Sequence, residues 1–186
     1  MTNTRGKIRI GVIFGGRSGE HEVSLVSAQS VMAALDHAKY EVVPIGITKQ
    51  GRWLTAGDPM QQLTEAAGPV PPQLASAASA PAASAAASGS RELIPGTGQA
   101  GIPQLDVIFP VLHGPYGEDG TIQGLLELAD LPYVGCGVLG SAAGMDKAIA
   151  KALFRDAGLP ATPGIVVLRR EWEARPGEVA ARVARE

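Results

Sequence analysis

Two short apolar runs, each leading into glycine, constrain the fold of this chain more than any other feature. Residues 7–14 are KIRIGVIF and precede Gly15-Gly16, and residues 105–114 are LDVIFPVLHG. Short runs of branched apolar residues that end at glycine are typical of buried strands. A helical pattern follows each run, and strands that alternate with helices predict an α/β fold with an open, mainly parallel sheet and helices on both faces.

Further elements are predicted from local patterns. YEVVPIGI at 40–47 predicts a strand in which Pro44 indicates an edge or a bulge, and residues 46–53 predict a turn into a short hairpin. PYVG at 132–135 and GIVVL at 164–168 predict two more strands. The sequence thus predicts more strands than the two principal runs supply.

Helix starts are also marked in the sequence. Apolar residues recur at spacings of three and four from Glu20 to His37, which predicts an amphipathic helix with Ser18 at its N-cap. GEDGTIQGLLELADLP predicts a second helix, and Asp146 is placed to cap a third helix that runs through Asp156. Between about 66 and 101 the sequence is rich in Ala, Ser, Pro and Gly, and we expect a flexible surface insertion there.

Charge and cysteine content restrict the classes of partner and the cellular compartment that we expect for this chain. The formal net charge is −2 and the pI is near 5.9, so there is no basic excess for a nucleic-acid backbone, and a small-molecule partner is favoured. Cys136 is the single cysteine, and the N-terminus has too short an apolar run for a signal peptide or a membrane span. We expect a cytoplasmic protein that binds neither nucleic acid nor membrane.

The first loop, GGRSGEHEVS at 15–24, joins glycines to a helix start. Unpaired N–H groups and the positive end of a helix dipole suit an anion, and Glu20 and Glu22 lie in the first turn. These acids either complement the dipole only or place a carboxylate where it holds a substrate ammonium, and we prefer the second interpretation for Glu20. The glycine spacing does not fit the dinucleotide-binding pattern.

The second and third loops also carry polar residues. HGPYGEDG at 113–120 places His113 at the end of a predicted strand, where a functional role is favoured over a merely solvated one. Glu118 and Asp119 are candidate helix caps. We expect no metal ligands here, because no His and Cys pair stands at metal-binding spacing. Lys147 follows a small-residue-rich stretch and either faces solvent or contacts a nucleotide phosphate.

Three blocks together resemble the D-alanine–D-alanine ligase family of the ATP-grasp superfamily. They are GGRSGEHEVS, LHGPYGEDGTIQGLLELADLPYVGCGVLGSAAGMDK and FRDAGLPATPG, and they span about Lys7 to Gly164 apart from the insertion. The resemblance implies ATP- and magnesium-dependent phosphorylation of one D-alanine, followed by attack of a second D-alanine amine, in peptidoglycan synthesis. It also implies a homodimer.

The same resemblance implies roles for four residues. Glu20 would bind the ammonium of the first D-alanine, Val23 would line that subsite, and His113 would lie near the carboxylate and the acyl phosphate. Lys147 would contact the ATP phosphates. Glu20 and His113 are therefore the expected catalytic residues.

The resemblance further implies that residues 1–145 form the N-terminal, pre-ATP-grasp domain and that 146–186 begin the central ATP-grasp domain. The magnesium ligands would then lie beyond Glu186, and we expect the 186-residue chain alone to be inactive. Two alternatives stay open. One is another ATP-grasp ligase, of D-alanine–D-lactate or D-alanine–D-serine type, and the other is a non-catalytic fragment that binds an amino acid or dimerises.

Overall fold

The computed structural model describes residues 6–67 and 105–185. The chain divides into two compact units, Met1–Ala142 and Ala143–Glu186. Of the expected insertion at 66–101, the first two residues end a helix and the rest lies outside the described residues.

The first unit is a sheet flanked by helices. Its elements are β1 (Ile8–Gly15), α1 (His21–Ala34), β2 (Tyr40–Ile47), β3 (Trp53–Leu54), α2 (Pro59–Ala67), β4 (Val107–Leu112), α3 (Thr121–Leu128) and α4 (Val138–Met145), which runs past the boundary between the units. The described strands form a four-stranded sheet in the order β3-β2-β1-β4.

The two central pairings are parallel, which sets where the loops meet. Strand β1 pairs in parallel with β2 and with β4, and Gly15 lies opposite Ile47 on one side and Leu112 on the other. The loops after β1 and β4 therefore leave the same edge of the sheet. Strand β3 pairs in antiparallel fashion only with Gly46 and Ile47 at the end of β2, as the predicted hairpin requires. Pro44 lies opposite Val12 of β1 but has no partner on the β3 side, so β2 is an edge there in the described sheet.

Alternate residues of the strands enter two separate cores, because successive side chains of a strand point to opposite faces. Helix α3 covers one face, and α1 and α2 cover the other. The first core contains Ile13, Ile45, Ile47, Leu105, Ile108, Leu112, Ile122 and Leu126. The second contains Ile10, Val12, Phe14, Leu25, Ala28, Leu63 and Val111. The predicted α/β sheet with helices on both faces is confirmed.

Some local predictions are wrong. PYVG makes a single bridge, between Tyr133 and Ile108, instead of a strand. GIVVL at 164–168 is unpaired, because a strand needs a neighbour for its backbone groups and the described second unit contains only helices. The N-cap of α1 is Glu20, and the Ser18 hydroxyl accepts a hydrogen bond from its N–H at 3.1 Å.

The second unit contains three described helices, α5 (Lys147–Asp156), α6 (Arg169–Ala174) and α7 (Pro176–Val183). The predicted N-cap of α5 is confirmed, since the Asp146 carboxylate accepts hydrogen bonds from the N–H groups of Ala148 and Ile149 at 2.9 and 3.0 Å. No helix in the described ranges has the length and apolar character needed to cross a membrane.

A buried serine ties three elements together where the glycine-rich loop begins. Ser24, on α1, is fully buried. Its hydroxyl accepts a hydrogen bond from the Gly15 N–H at 2.8 Å and donates one to the Val111 carbonyl. The ends of β1 and β4 are therefore joined to the first turns of α1.

Replacing Ser24 by Ala should lower the free energy of unfolding by about 1–3 kcal/mol, because it leaves a buried N–H and a buried carbonyl unpaired. Urea unfolding followed by circular dichroism measures the change. Ser30→Ala removes an exposed hydroxyl from the same helix and is expected to change stability by less than about 0.5 kcal/mol. Equal unfolding midpoints for the two variants would refute the joining role of Ser24.

Asp119 shapes the loop before α3. Its carboxylate accepts hydrogen bonds from the N–H groups of Tyr116 and Thr121, at 2.9 and 3.0 Å. Partial burial acts to raise the pKa of Asp119, but these hydrogen bonds outweigh it and hold the pKa below its usual value. A depressed carboxyl pKa stabilises the fold above the unfolded-state pKa, and this stabilisation is lost as the pH falls through the folded-state value.

Asp119→Asn should therefore cost about 1–2 kcal/mol of unfolding free energy at neutral pH, and the cost should shrink at acid pH, where the native carboxyl is protonated. Urea unfolding at several pH values tests this. Asp130→Asn is the control, because Asp130 is exposed and its left-handed backbone, φ 52°, suits Asn. A cost for Asp119→Asn that does not vary with pH would contradict the prediction.

Candidate functional site

The candidate site lies where the loops after β1 and β4 leave the same edge of the sheet. Gly15 and Gly16 have positive φ angles of 89° and 94°. A Cβ on Gly15 would collide with the carbonyl oxygen of Ile47. The Nδ1 atom of buried His21 lies 2.7 Å from the Gly16 carbonyl, and because a carbonyl only accepts, this nitrogen carries the proton. The loop thus needs glycine and is held by the first residue of α1.

Three titratable side chains from the two loops come together here. A ring nitrogen of His113 and one carboxylate oxygen each of Glu20 and Glu118 lie within 4.8 Å of one another. The His113 side chain is half-buried, and both glutamates are exposed. The structure therefore joins two residues singled out from sequence, Glu20 and His113, and adds Glu118.

The two acids at the start of α1 have different surroundings. Glu22 forms an ion pair with Lys49 at 2.5 Å, and the hydrogen bond from Lys49 is the largest of the effects that hold the pKa of Glu22 below its usual value. Glu20 forms no ion pair with any residue of the described ranges. Of these two carboxylates, Glu20 is the one open to a cationic ligand.

Glu118 closes the second loop instead of capping a helix. Its Oε2 atom accepts a hydrogen bond from the Gly114 N–H at 2.7 Å. The Gln123 side chain, from α3, donates to the Gly117 carbonyl at 3.0 Å, and a Cβ on Gly117 would lie 2.5 Å from the Cβ of Leu112. The loop is therefore packed tightly against the end of β4. The N-cap residue of α3 is Gly120, so neither acid is the helix cap expected from the sequence, although Asp119, one residue earlier, accepts a hydrogen bond from the N–H of Thr121, the first residue of α3.

A cavity of about 340 Å³ opens beside this cluster, on the side of the sheet that α3 covers. Its wall includes Trp53, Tyr116 and Leu125, together with His113. The guanidinium of Arg17 stacks over the Tyr116 ring at 5.0 Å from the ring centre and joins the two loops.

The other predicted site residues lie elsewhere along the helices. Val23 is exposed in the first turn of α1, three residues after Glu20. Lys147 is the exposed first residue of α5 and belongs to the second unit. The predictions for Val23 and Lys147 stay predictions.

Two serines near the cluster were not identified from sequence. Ser24 joins the ends of β1 and β4, and Ser27 places its hydroxyl 3.0 Å from the Nε2 atom of His113. Together with Glu20 they stand at positions i, i+4 and i+7, a spacing that puts all three on one face of a helix. That polar row within an amphipathic helix is the signal that sequence reasoning could have used.

The cluster has the chemistry of a cation site. Two carboxylates and an imidazole are suited to a primary ammonium or to a divalent metal ion. One carboxylate oxygen, Oε2 of Glu118, is already engaged by the Gly114 N–H. An ammonium donates three hydrogen bonds and so matches the carboxylate oxygens of the site, while the helix start beside it favours an anionic group.

Comparison with known sequences places the chain in a family. Residues 9–136 match the family described as D-ala D-ala ligase N-terminus. A D-alanine–D-alanine ligase of Streptomyces griseus is 48% identical over 184 residues, covering 96% of this chain and 47% of the relative. One from Mycolicibacterium vanbaalenii is 50% identical over 169 residues, covering 89% of this chain and 46% of the relative. The chain spans about half the length of the curated relatives it matches.

Solved structures agree with the sequence comparison. The D-alanine–D-alanine ligase of Coxiella burnetii superposes with a TM-score of 0.69 at 31% identity, and the match covers 96% of this chain and 49% of the ligase chain. The VanG D-Ala:D-Ser ligase of Enterococcus faecalis superposes with a TM-score of 0.66 at 33% identity, and the match covers 95% of this chain and 50% of that ligase chain. The resemblance seen in the three sequence blocks is confirmed, and the chain belongs to the D-alanine–D-alanine ligase family, whose N-terminal part it contains.

Proposed function

We propose that this chain forms the substrate-binding N-terminal part of a D-alanine–D-alanine ligase, which joins two D-alanine molecules with ATP for peptidoglycan synthesis. The observation that carries the proposal is the meeting of Glu20 and His113 at the carboxyl edge of the sheet. Ligands of open α/β sheets bind at this edge. We propose in addition that the protein is cytoplasmic and homodimeric, as the family resemblance implies.

In this proposal, Glu20 binds the ammonium of the first D-alanine. Its neighbour Glu22 forms an ion pair with Lys49, whereas Glu20, the N-cap residue, forms none with the residues that the structure describes. Val23, three residues on, would border the small methyl group, and an imidazole at His113 would face the carboxylate end. A site that contacts both charged ends of an amino acid fixes its orientation and thereby its reacting oxygen.

We propose that the second unit contributes a contact to ATP. Phosphorylation by ATP converts a carboxylate oxygen, a poor leaving group, into a good one. Lys147 is exposed at the first position of α5, where a lysine and the helix N-terminus are both suited to a phosphate. We propose that the magnesium ligands lie outside these 186 residues, as the resemblance implies.

A second candidate function is a D-alanine–D-serine ligase. The similarity to a solved D-Ala:D-Ser ligase at 33% identity favours keeping it. Both candidates use D-alanine as the first substrate, so the roles of Glu20 and His113 are the same in each. Competition between D-alanine and D-serine as second substrate, with the products separated by chromatography, distinguishes them.

Glu20→Gln should weaken D-alanine binding about tenfold to a hundredfold, because a hydrogen bond between charged groups is replaced by one to a neutral amide. Isothermal titration of the chain with D-alanine, in the absence of ATP, measures the change, and L-alanine tests stereochemistry. Glu22→Gln is the matched control, since that carboxylate already pairs with Lys49, and it is expected to bind normally. Equal losses in both variants would count against a specific role of Glu20.

An activity assay tests the proposal that this chain binds D-alanine but does not catalyse phosphoryl transfer by itself. We expect no phosphate release from ATP with D-alanine and magnesium when the 186-residue chain is assayed alone, because the elements that stabilise the transferring phosphoryl group are placed outside it in this proposal. The longest product of the same reading frame is assayed beside it. Turnover by the 186-residue chain alone would refute the proposal that the elements for phosphoryl transfer lie outside it.

A further inference from the structure

The imidazole of His113 is held from one side by helix α1. The Ser27 hydroxyl oxygen lies 3.0 Å from the Nε2 atom of His113, although the two residues are 86 positions apart. Both side chains are half-buried. Ser27 stands two turns along the helix from Glu20, so the helix that begins with the carboxylate also contacts the imidazole.

The other hydrogen bonds indicate which partner donates the proton. Ser30, on the same helix, donates back to the carbonyl of Val26 at 3.1 Å. Within the described ranges, the hydrogen bond to His113 is the one that Ser27 makes with its side chain. A hydroxyl with no other acceptor donates to an imidazole nitrogen, and the ring proton then resides on the opposite nitrogen.

The charges around the ring favour the same arrangement. The carboxylates of Glu20 and Glu118 approach a ring nitrogen of His113 to within 4.8 Å. Because Nε2 is engaged by Ser27, Nδ1 is the ring nitrogen that has no side-chain partner among the described residues. Negative groups near the ring disfavour a bare lone pair, and a proton on Nδ1 removes the one lone pair that Ser27 does not engage.

We propose that Ser27 is a positioning residue: its hydroxyl donates to Nε2 of His113, fixes the plane of the ring and holds it in the Nδ1–H tautomer. The site then offers one N–H donor from His113 beside the acceptor oxygens of Glu20. A donor and an acceptor side by side match the carboxylate and the ammonium of an amino acid. This last step, from tautomer to ligand, rests on the proposed function.

The test is a long-range ¹H–¹⁵N correlation spectrum of the imidazoles in the full 186-residue chain, recorded at about pH 9, where free imidazoles are neutral. The chain has three histidines, and His113→Gln identifies the signals of His113. We expect a protonated Nδ1 and an unprotonated Nε2 for His113. In Ser27→Ala we expect a mixture of both tautomers instead of this single one. In Ser27→Thr, which keeps the hydroxyl, we expect the single Nδ1–H tautomer again.

Ser30→Ala is the matched control, since it removes a hydroxyl from the same helix without touching His113, and the spectrum of His113 should not change. A protonated Nε2 in the unsubstituted chain would overturn the proposal. So would an unchanged tautomer in Ser27→Ala. If Ser27→Ala does not give a folded amide spectrum, Ser27→Thr and the unsubstituted chain still decide the question.

The tautomer is measured without D-alanine, so its outcome is separate from that of the proposed function. If the Nδ1–H tautomer is observed but D-alanine does not bind, the positioning role of Ser27 stands and the proposal that D-alanine is the ligand is refuted. In the longest product of the reading frame, Ser27→Ala is expected to raise the KM for D-alanine, and Ser27→Thr is expected to restore it. A changed tautomer with an unchanged KM would refute the link between the imidazole and the substrate.

Discussion

The candidate site depends on the hydrogen bonds of one buried hydroxyl, that of Ser24. In a parallel sheet, neighbouring strand ends are held together by their ladder only as far as the last paired residue, and the loops beyond must be fixed by other groups. Ser24 supplies this by accepting from Gly15 and donating to Val111. The carboxylate at the start of α1 and the imidazole at the end of β4 are thereby brought from separate loops to one place.

Local sequence patterns predicted the parts of the first unit that are stabilised locally. The strand at 7–14, the helix from about Glu20 and the short hairpin after β2 all follow from short-range periodicity and turn residues. The strand expected at 164–168 failed for a physical reason, since strand formation needs a partner and periodicity does not reveal whether a partner exists. The described helices that follow this segment are separate, and Pro176 starts the second of them.

The site was predicted only in part, because its contacts depend on tertiary structure and loop conformation, which periodicity does not describe. Sequence reasoning could name both Glu20 and Glu22 but had only weak grounds to choose between them, and Lys49, beyond the end of β2, distinguishes them by neutralising Glu22. Glu118 was taken for a helix cap because it precedes α3, whereas its carboxylate turns back to Gly114. The ion pair joins two elements that meet only in the folded chain, whereas the hydrogen bond from Gly114 to Glu118 depends on the conformation of a single loop. Hydrophobic periodicity describes neither of these.

The spacing of Glu20, Ser24 and Ser27 on one helix has a consequence for how this region tolerates change in length. Each residue of an α-helix turns the chain by about 100°. One inserted or deleted residue between Glu20 and Ser24 would leave the serine in its buried position but rotate the carboxylate to another side of the helix. The loop before α1 is free of this constraint, whereas helix geometry sets the number of residues from Glu20 to Ser27.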